Sequence, residues 1–291
     1  MWGAVQLEVW MPVATNTYAL MDAGNGRKLE QFGPCLVDRP CAQAVWRPSL
    51  PQTRWQQADA FFTREQGAKW EFRKPLPENW ICDIGGIRFR ILPTDFGHLG
   101  VFPEHALGWK KISEICSRLD TKKAAVLNLF AYSGGATLAL AKVGCEVCHL
   151  DASKKMVDWA RQNADLNELS AAPIRWIVDD VQKFLKREIR RGKQYDGIVL
   201  DPPSFGRGSN QELFQIDHHM LDLLELCCQV LSATPKFLFL SCHTPGYTPL
   251  VLQHLLKQTL PGGAIEAGEL LLPARPEALD VPSGTYACWQ K

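Results

Sequence analysis

The chain has 291 residues, 32 Lys+Arg against 31 Asp+Glu, 46% hydrophobic and 22% charged residues. This length allows one large α/β domain or two domains of about 150 residues each, and the ordinary composition excludes disordered, collagen-like and coiled-coil chains. The near-zero net charge of +1 argues against a surface that binds nucleic acid throughout, while leaving room for a local basic patch.

The start, MWGAVQLEVWMPVAT, has no basic leader and carries Glu8 early, so no secretory signal is expected. No apolar run approaches the roughly 20 residues that span a bilayer. A cytoplasmic protein with no membrane partner is the expectation. The first hundred residues hold short strand-like runs such as Ile87–Ile91, broken by Asn25-Gly26, Gly85-Gly86 and the prolines at 48, 51, 75 and 77. Six of the ten tryptophans fall in the first 80 residues: Trp2, Trp10, Trp46, Trp55, Trp70 and Trp80. We read residues 1–100 as a small antiparallel, Trp-rich, mostly-β module whose tryptophans pack a core more readily than they stack bases. Basic and acidic residues cancel within it, at eleven each through Glu104.

Residues 101–291 form a second unit in which strands alternate with helices. Ala124–Ala131 is a short apolar run ending at Ser133-Gly134-Gly135, and Thr137–Val143 is helical, stopped by Gly144. Cys145–Leu150 is the second strand, closed by Asp151, and Ser153 can cap the helix that follows. Ile174–Val178 is the third strand, ending in Asp179-Asp180. Val181–Arg191 is an amphipathic helix whose basic face reads as a solvated surface directed away from the site. Tyr195–Leu200 ends in Asp201-Pro202-Pro203. A long helix covers Leu213–Ser232, Lys236–Ser241 is the fifth strand, and Pro249–Leu260 is another helix. A closing hairpin pairs Glu269–Leu272 with Thr285–Trp289. Alternation of this kind predicts an α/β, Rossmann-like, doubly wound sheet, and such a sheet binds its ligand beyond the carboxyl ends of the strands.

The polar residues gather at those ends. A glycine turn after the first strand and an acid, Asp151, 17 residues after Gly134 suit an adenosine-containing cofactor, with the acid on the ribose diol. The G-x-G-x-x-G spacing of nicotinamide proteins and the P-loop are both absent. Either Asp179 or Asp180 can meet the adenine amine while the other caps a helix. Cys145 and Cys148 lie three apart with no partner pair, His218-His219 has no ligand at metal spacing, and no metal site is expected. The ten cysteines read as reduced thiols.

The stretches LNLFAYSGG (127–135), HLDASK (149–154), WIVDD (176–180) and DGIVLDPPSFGRG (196–208) resemble class I S-adenosylmethionine-dependent methyltransferases. They are most similar to the bacterial group that modifies cytosine carbon 5 or guanine nitrogen 7 of large-subunit ribosomal RNA. GHLGVFPEH (97–105) resembles the segment before the methyltransferase fold in that group, and residues before 85 resemble shorter relatives without an amino-terminal PUA domain. The resemblance implies a seven-stranded sheet, S-adenosylmethionine as cofactor and an RNA substrate. It assigns Phe130, Tyr132, Ser133 and Gly134 to the cofactor pocket and Asp151, with Ala152 and Ser153, to the ribose. Asp180 or Asp179 goes to the adenine, Asp201 and Pro202 to the reactive end, and Phe102 and Glu104 to a closing segment. Methylation of cytosine carbon 5 needs a thiolate that adds to the ring; Cys242, at the end of the fifth strand, is the candidate, with Asp201 as its catalytic companion. A protein or small-molecule acceptor, or a nicotinamide-binding oxidoreductase, are the alternatives.

Overall fold

The computed structural model describes residues 17–64, 67–118, 124–207 and 213–291; Trp2 and Trp10 lie outside them. Strands β1 (Tyr18–Gly24), β2 (Arg27–Phe32) and β3 (Cys35–Pro40) form a meander, and a single helical turn, α1 (Gln52–Trp55), leads to β4 (Ala60–Thr63) and β5 (Lys69–Phe72). The five strands form one sheet in chain order. It is antiparallel except at β3–β4, which pair in parallel because α1 and its flanking loops carry the chain back across the sheet. The β1–β2 turn is made by Asn25 and Gly26, both at positive φ, as the dipeptide predicts. The four described tryptophans of this region peg the core. Trp55 and Trp80 are buried, and the indole N–H groups of Trp46, Trp55, Trp70 and Trp80 donate to Ala23 O, Asp22 Oδ2, Thr94 O and Phe32 O at 2.8–3.0 Å.

A separate hairpin, β6 (Ile81–Ile84) and β7 (Ile87–Arg90), leads through an extended strap to a 3-10 turn at Pro103–His105 and to α2 (Ala106–Ser117). The major sheet then follows: β8 (Ala125–Leu129), α3 (Gly135–Lys142), β9 (Glu146–Asp151), α4 (Lys154–Leu166), β10 (Ile174–Val178), α5 (Val181–Arg190) and β11 (Gly197–Leu200). After β11 come a short pair, β12 (Phe205–Arg207) and β13 (Leu213–Gln215), then α6 (Ile216–Gln229), β14 (Phe237–Cys242), α7 (Pro249–Thr259), β15 (Ala264–Leu272) and β16 (Val281–Gln290). The order is β10-β9-β8-β11-β14-β16-β15, parallel up to β14, with β16 antiparallel to both of its neighbours. β11 and β14 are buried along their whole length, which is why they read as continuous apolar runs. Side chains of the sheet form two cores: Phe237 and Phe239 face the layer with Trp109 and Leu138, while Leu238 and Leu240 face the layer with Leu224 and Leu256. None of the described helices is long and apolar enough to cross a membrane.

Two expectations change. The long helix predicted from Leu213 begins instead at Ile216, because Leu213–Gln215 pairs antiparallel with Phe205–Arg207. The core also continues across residue 100: Phe32, Val37, Trp80 and Phe89 share one apolar cluster with Val126, Leu138 and Phe239. Hairpin β6–β7 is tied to α4 as well. Asn163 Oδ1 accepts from Arg90 N–H, and Asn167 Oδ1 accepts from Arg88 N–H while its Nδ2 donates to Arg88 O.

The strongest polar link in the first sheet is buried. The Arg39 guanidinium grips both carboxylate oxygens of Glu30 at 2.7 and 2.9 Å, Tyr18 Oη donates to Glu30 Oε1 at 3.0 Å, and Arg39 Nη1 donates to Gly97 O at 3.2 Å. Burial pushes the Glu30 carboxyl up, but the charges of Arg39 and Lys28 and the hydrogen bonds from Arg39 and Tyr18 outweigh it and hold its pKa below the ordinary glutamate value. The pair therefore contributes fully above the unfolded glutamate pKa of about 4.3, and its contribution is lost as pH falls through the lower folded value. Arg39→Met leaves Glu30 buried without its bidentate partner and is expected to cost about 3–5 kcal/mol in urea unfolding. In an acid titration below about pH 4.3, Glu30→Gln is expected to lose less stability than the wild type.

Candidate functional site

The strand order reverses between β8 and β11, so the crevice lies at their carboxyl ends. The chain leaves β8 through a sharp turn in which Phe130, Tyr132 and Gly134 all have positive φ, at 55°, 49° and 95°. Two non-glycine residues in that region within three positions are unusual, and such backbone concentrates where the surroundings over-determine it. Here they do. Tyr132 N–H donates to Asp151 Oδ2 at 2.9 Å, Ala131 N–H to Leu150 O at 3.0 Å, and Asn163 Nδ2 to Ser133 O at 3.0 Å. Asp151 Oδ1 accepts Ser153 N–H at 2.8 Å. Burial pushes the Asp151 carboxyl up against the opposing effect of these two backbone donors.

The glycines of the turn serve packing. A Cβ on Gly135 would meet the Trp109 ring at 2.1 Å, and one on Gly134 would meet the Ala160 methyl at 3.1 Å. Gly134 is the N-cap of α3 and does not line the cavity. Ser133 is buried, on a small void of about 60 Å³ beneath it.

Above that void is a cavity of about 900 Å³. Of the residues expected at the site, Phe102, Phe130, Tyr132, Asp151, Ala152, Ser153, Asp180, Asp201 and Pro202 line it. Asp180 caps α5, its Oδ1 accepting Lys183 N–H at 2.9 Å. Asp179 is not on the cavity; its carboxylate pairs with Arg187. Glu104, in the 3-10 turn at the end of the strap, is buried and off the cavity, and its Oε2 has no hydrogen-bond partner. Cys242 is 1% exposed and lies with Leu240 and Leu252 on the α6–α7 side of the sheet, its Sγ accepting Thr244 N–H at 3.4 Å. Burial pushes this thiol up, so the thiolate is disfavoured where it stands.

Some residues of the cavity were not expected there from the sequence. Lys183 and Lys186 line it, contrary to the expectation that this helix faces away. α5 starts at the carboxyl end of β10, so its first turn is at the crevice even though its later turns pack along the sheet. Phe214 and His219 form a wall with Phe130, at ring-centroid distances of 5.5 Å. His98 from the strap lies against Phe102; burial, with the charges of Arg39 and Arg64, lowers its pKa to about 4.

A cluster of polar side chains lies at the floor of the cavity. Asp201, on the corner that ends β11, accepts from Ser241 Oγ at 2.8 Å; His105 Nε2 is 3.3 Å from Asp201 Oδ2 and His243 Nε2 is 3.7 Å from Asp201 Oδ1. Burial pushes the Asp201 carboxyl up, but the His105 and His243 charges and the hydrogen bonds from His105 and Ser241 hold it far below the usual range. For His105, burial lowers the pKa, while Asp201 and Glu104 raise it by more. No sequence spacing joins these residues; only the fold brings them together.

Residues 28–243 match the S-adenosylmethionine-dependent methyltransferase family. The chain is 32% identical over 157 residues to ribosomal RNA large subunit methyltransferase I of Escherichia coli, a match covering 54% of this chain and 38% of that protein. It thus spans about two fifths of the length of the curated relatives it matches. The crystal structure of the S-adenosylmethionine-dependent methyltransferase from Agrobacterium tumefaciens superposes with a TM-score of 0.89 at 39% identity, over 94% of this chain and 90% of that one. The crystal structure of SMU.776 complexed with SAH superposes at 0.73 with 17% identity, over 95% of this chain and 76% of that one, a likeness of fold.

The placement of Cys242 has a chemical consequence. In the native protein this thiol is expected to resist iodoacetamide and to be alkylated only after unfolding, as read by peptide mass mapping. Rapid native alkylation at Cys242 would place the thiol in solvent instead.

Proposed function

Because the chain belongs to the S-adenosylmethionine-dependent methyltransferase family, with S-adenosylmethionine as its cofactor, we propose that it methylates a base of ribosomal RNA. The observation that carries this reading is the continuous cavity of about 900 Å³ that runs from Asp151 and Asp180 to Asp201, Pro202 and Ser204. Its volume is at the upper end of the roughly 300–1,000 Å³ usual for small-molecule sites, room for an adenosine-type cofactor and a second planar group.

The residues present suit the cofactor. Asp151 keeps lone pairs free beyond the two backbone N–H groups it accepts, and these take the ribose hydroxyls. Asp180 takes the adenine amine, and Ala152, Ser153, Phe130 and Tyr132 wall the pocket. Ser133 and Gly134 shape the turn. The strap supplies Phe102 as a cover, while Glu104 is buried in the turn that follows and does not line the cavity. S-adenosylmethionine supplies an activated methyl on a sulfonium, so the protein chiefly aligns the acceptor and excludes water. Asp201, on the rigid Pro202-Pro203 corner, orients the acceptor through its carboxylate.

The ribosomal substrate is supported by the relative's name and by the cavity wall. A base taken out of its stack needs a flat apolar face, which Phe214 and His219 present. Lys183 and Lys186 at the cavity attract a phosphate backbone. In this arrangement the target attacks through its own lone pair. The covalent route to cytosine carbon 5 needs a thiol in the cavity, and Cys242 packs among leucines. The first hundred residues support the strap, through Arg39 and the Gly97 carbonyl, and with residues 101–291 make up the two units of the chain. A ribosomal substrate also assigns the protein to the cytoplasm.

Asp151→Ala is expected to weaken S-adenosylmethionine binding at least about tenfold by calorimetry, since charge-assisted hydrogen bonds contribute roughly 1.5–3 kcal/mol each. Unchanged affinity would remove Asp151 from the site. Mass mapping of ribosomal RNA from a deletion strain is expected to reveal one missing base methylation. A fully modified ribosome would redirect the reading to a protein or small-molecule acceptor.

A further inference from the structure

Three segments far apart in the chain place one imidazole, one carboxylate and a second imidazole at a single point on the cavity floor. His105 ends the 3-10 turn before α2, Asp201 follows β11, and His243 follows β14. Among the described residues this is the one group of three His, Cys, Asp or Glu side chains whose ligand atoms all lie within 4.8 Å of one another. The two Nε2 atoms are 3.1 Å apart, and they stand 3.3 and 3.7 Å from the Asp201 oxygens. Imidazole and carboxylate ligands at about 2.0–2.2 Å from one ion are themselves about 3.0 Å apart at right angles and about 3.4 Å apart in a tetrahedron. The imidazole–imidazole separation and the His105–Oδ2 separation fall between these values, and the His243–Oδ1 separation is 0.3 Å above the larger one.

We propose that His105, Asp201 and His243 form a binding site for one divalent first-row transition metal ion, of the zinc or iron(II) type. Two imidazoles and a carboxylate are the donor set such ions select; Mg²⁺ and Ca²⁺ prefer oxygen ligands alone. The side chains are held for it. Ser241 Oγ fixes the Asp201 carboxylate at 2.8 Å, as outer-shell donors fix metal ligands elsewhere. The His105 ring stacks on Trp109 at 6.5 Å, and Phe102 lies 6.3 and 5.9 Å from the His105 and His243 rings.

The site has an open side. Asp201 and His243 line the 900 Å³ cavity, while His105 faces the small void below it. Three protein ligands leave a coordination position toward the cavity, the pattern of catalytic rather than structural sites. That position takes an oxygen atom, from water or from the methyl acceptor. The site rests on the convergent side chains alone and stands whether or not the acceptor is ribosomal RNA.

The test is direct metal binding by the full chain after chelator treatment, with Co²⁺ followed by visible absorption and Zn²⁺ by calorimetry. The expected result is one ion per chain, with ligand-field bands from nitrogen and oxygen ligands. His105→Ala and His243→Ala are each expected to weaken binding at least tenfold, with circular dichroism of the metal-free variants unchanged. X-ray absorption on the zinc-loaded wild type, which needs no variant to fold, is expected to give nitrogen and oxygen neighbours and no sulfur. No stoichiometric binding by the wild type, equal affinity in both variants, or sulfur in the first coordination sphere would each overturn the proposal. Calorimetry with S-adenosylmethionine on the metal-free wild type separates these outcomes from a failure of the methyltransferase reading.

Discussion

The carboxyl edge of the major sheet depends on the two backbone hydrogen bonds that Asp151 accepts. One comes from Tyr132, in the turn after β8, and the other from Ser153, at the cap of α4. The same carboxylate therefore fixes the left-handed backbone of the β8 turn and the entry into the next helix. Without it, the positive-φ backbone at Tyr132 would lose the one side-chain acceptor of its N–H, leaving the bonds of Ala131 and Ser133 to hold the turn. A group that both shapes a cavity and faces into it is held more firmly than one placed for binding alone.

The other side of the cavity is held by a different constraint. The strap from Gly97 to His105 has little regular structure, yet it carries His98, Phe102 and His105 to the crevice. It is anchored from outside by the Arg39 guanidinium on the Gly97 carbonyl, and Arg39 is itself fixed by the buried Glu30 carboxylate. From inside it is anchored by His105 against Asp201. The amino-terminal sheet thus acts on the site through a chain of charge-assisted hydrogen bonds and through a core it shares with β8 and β14.

Much of this was legible in the sequence because the parallel strands are short apolar runs that end abruptly in polar residues. Leu150-Asp151, Val178-Asp179 and Leu200-Asp201 mark three strand ends, and two of these acids, Asp151 and Asp201, line the crevice. Local patterning failed where tertiary packing decides. Leu213–Gln215 joins an apolar stretch that reads as helix, and only its pairing with Phe205–Arg207 makes it a strand. Gly135 suggested close approach of a ligand, whereas the Trp109 indole takes that space. Lys183 and Lys186 belong to an amphipathic helix whose period says nothing about which end meets the cavity. His105 and His243 are 138 residues apart, and no motif predicts that they meet over Asp201.

The central claim is that the cofactor lies along the Asp151–Asp201 cavity with its reactive end over the His105–Asp201–His243 floor. The most direct measurement is a crystal structure of the protein with S-adenosylhomocysteine. The expected result has the ribose hydroxyls on Asp151, the adenine beside Asp180 and the sulfur facing Asp201. An adenosine bound outside that cavity, or reversed within it so that the sulfur faces Asp180, would contradict the claim.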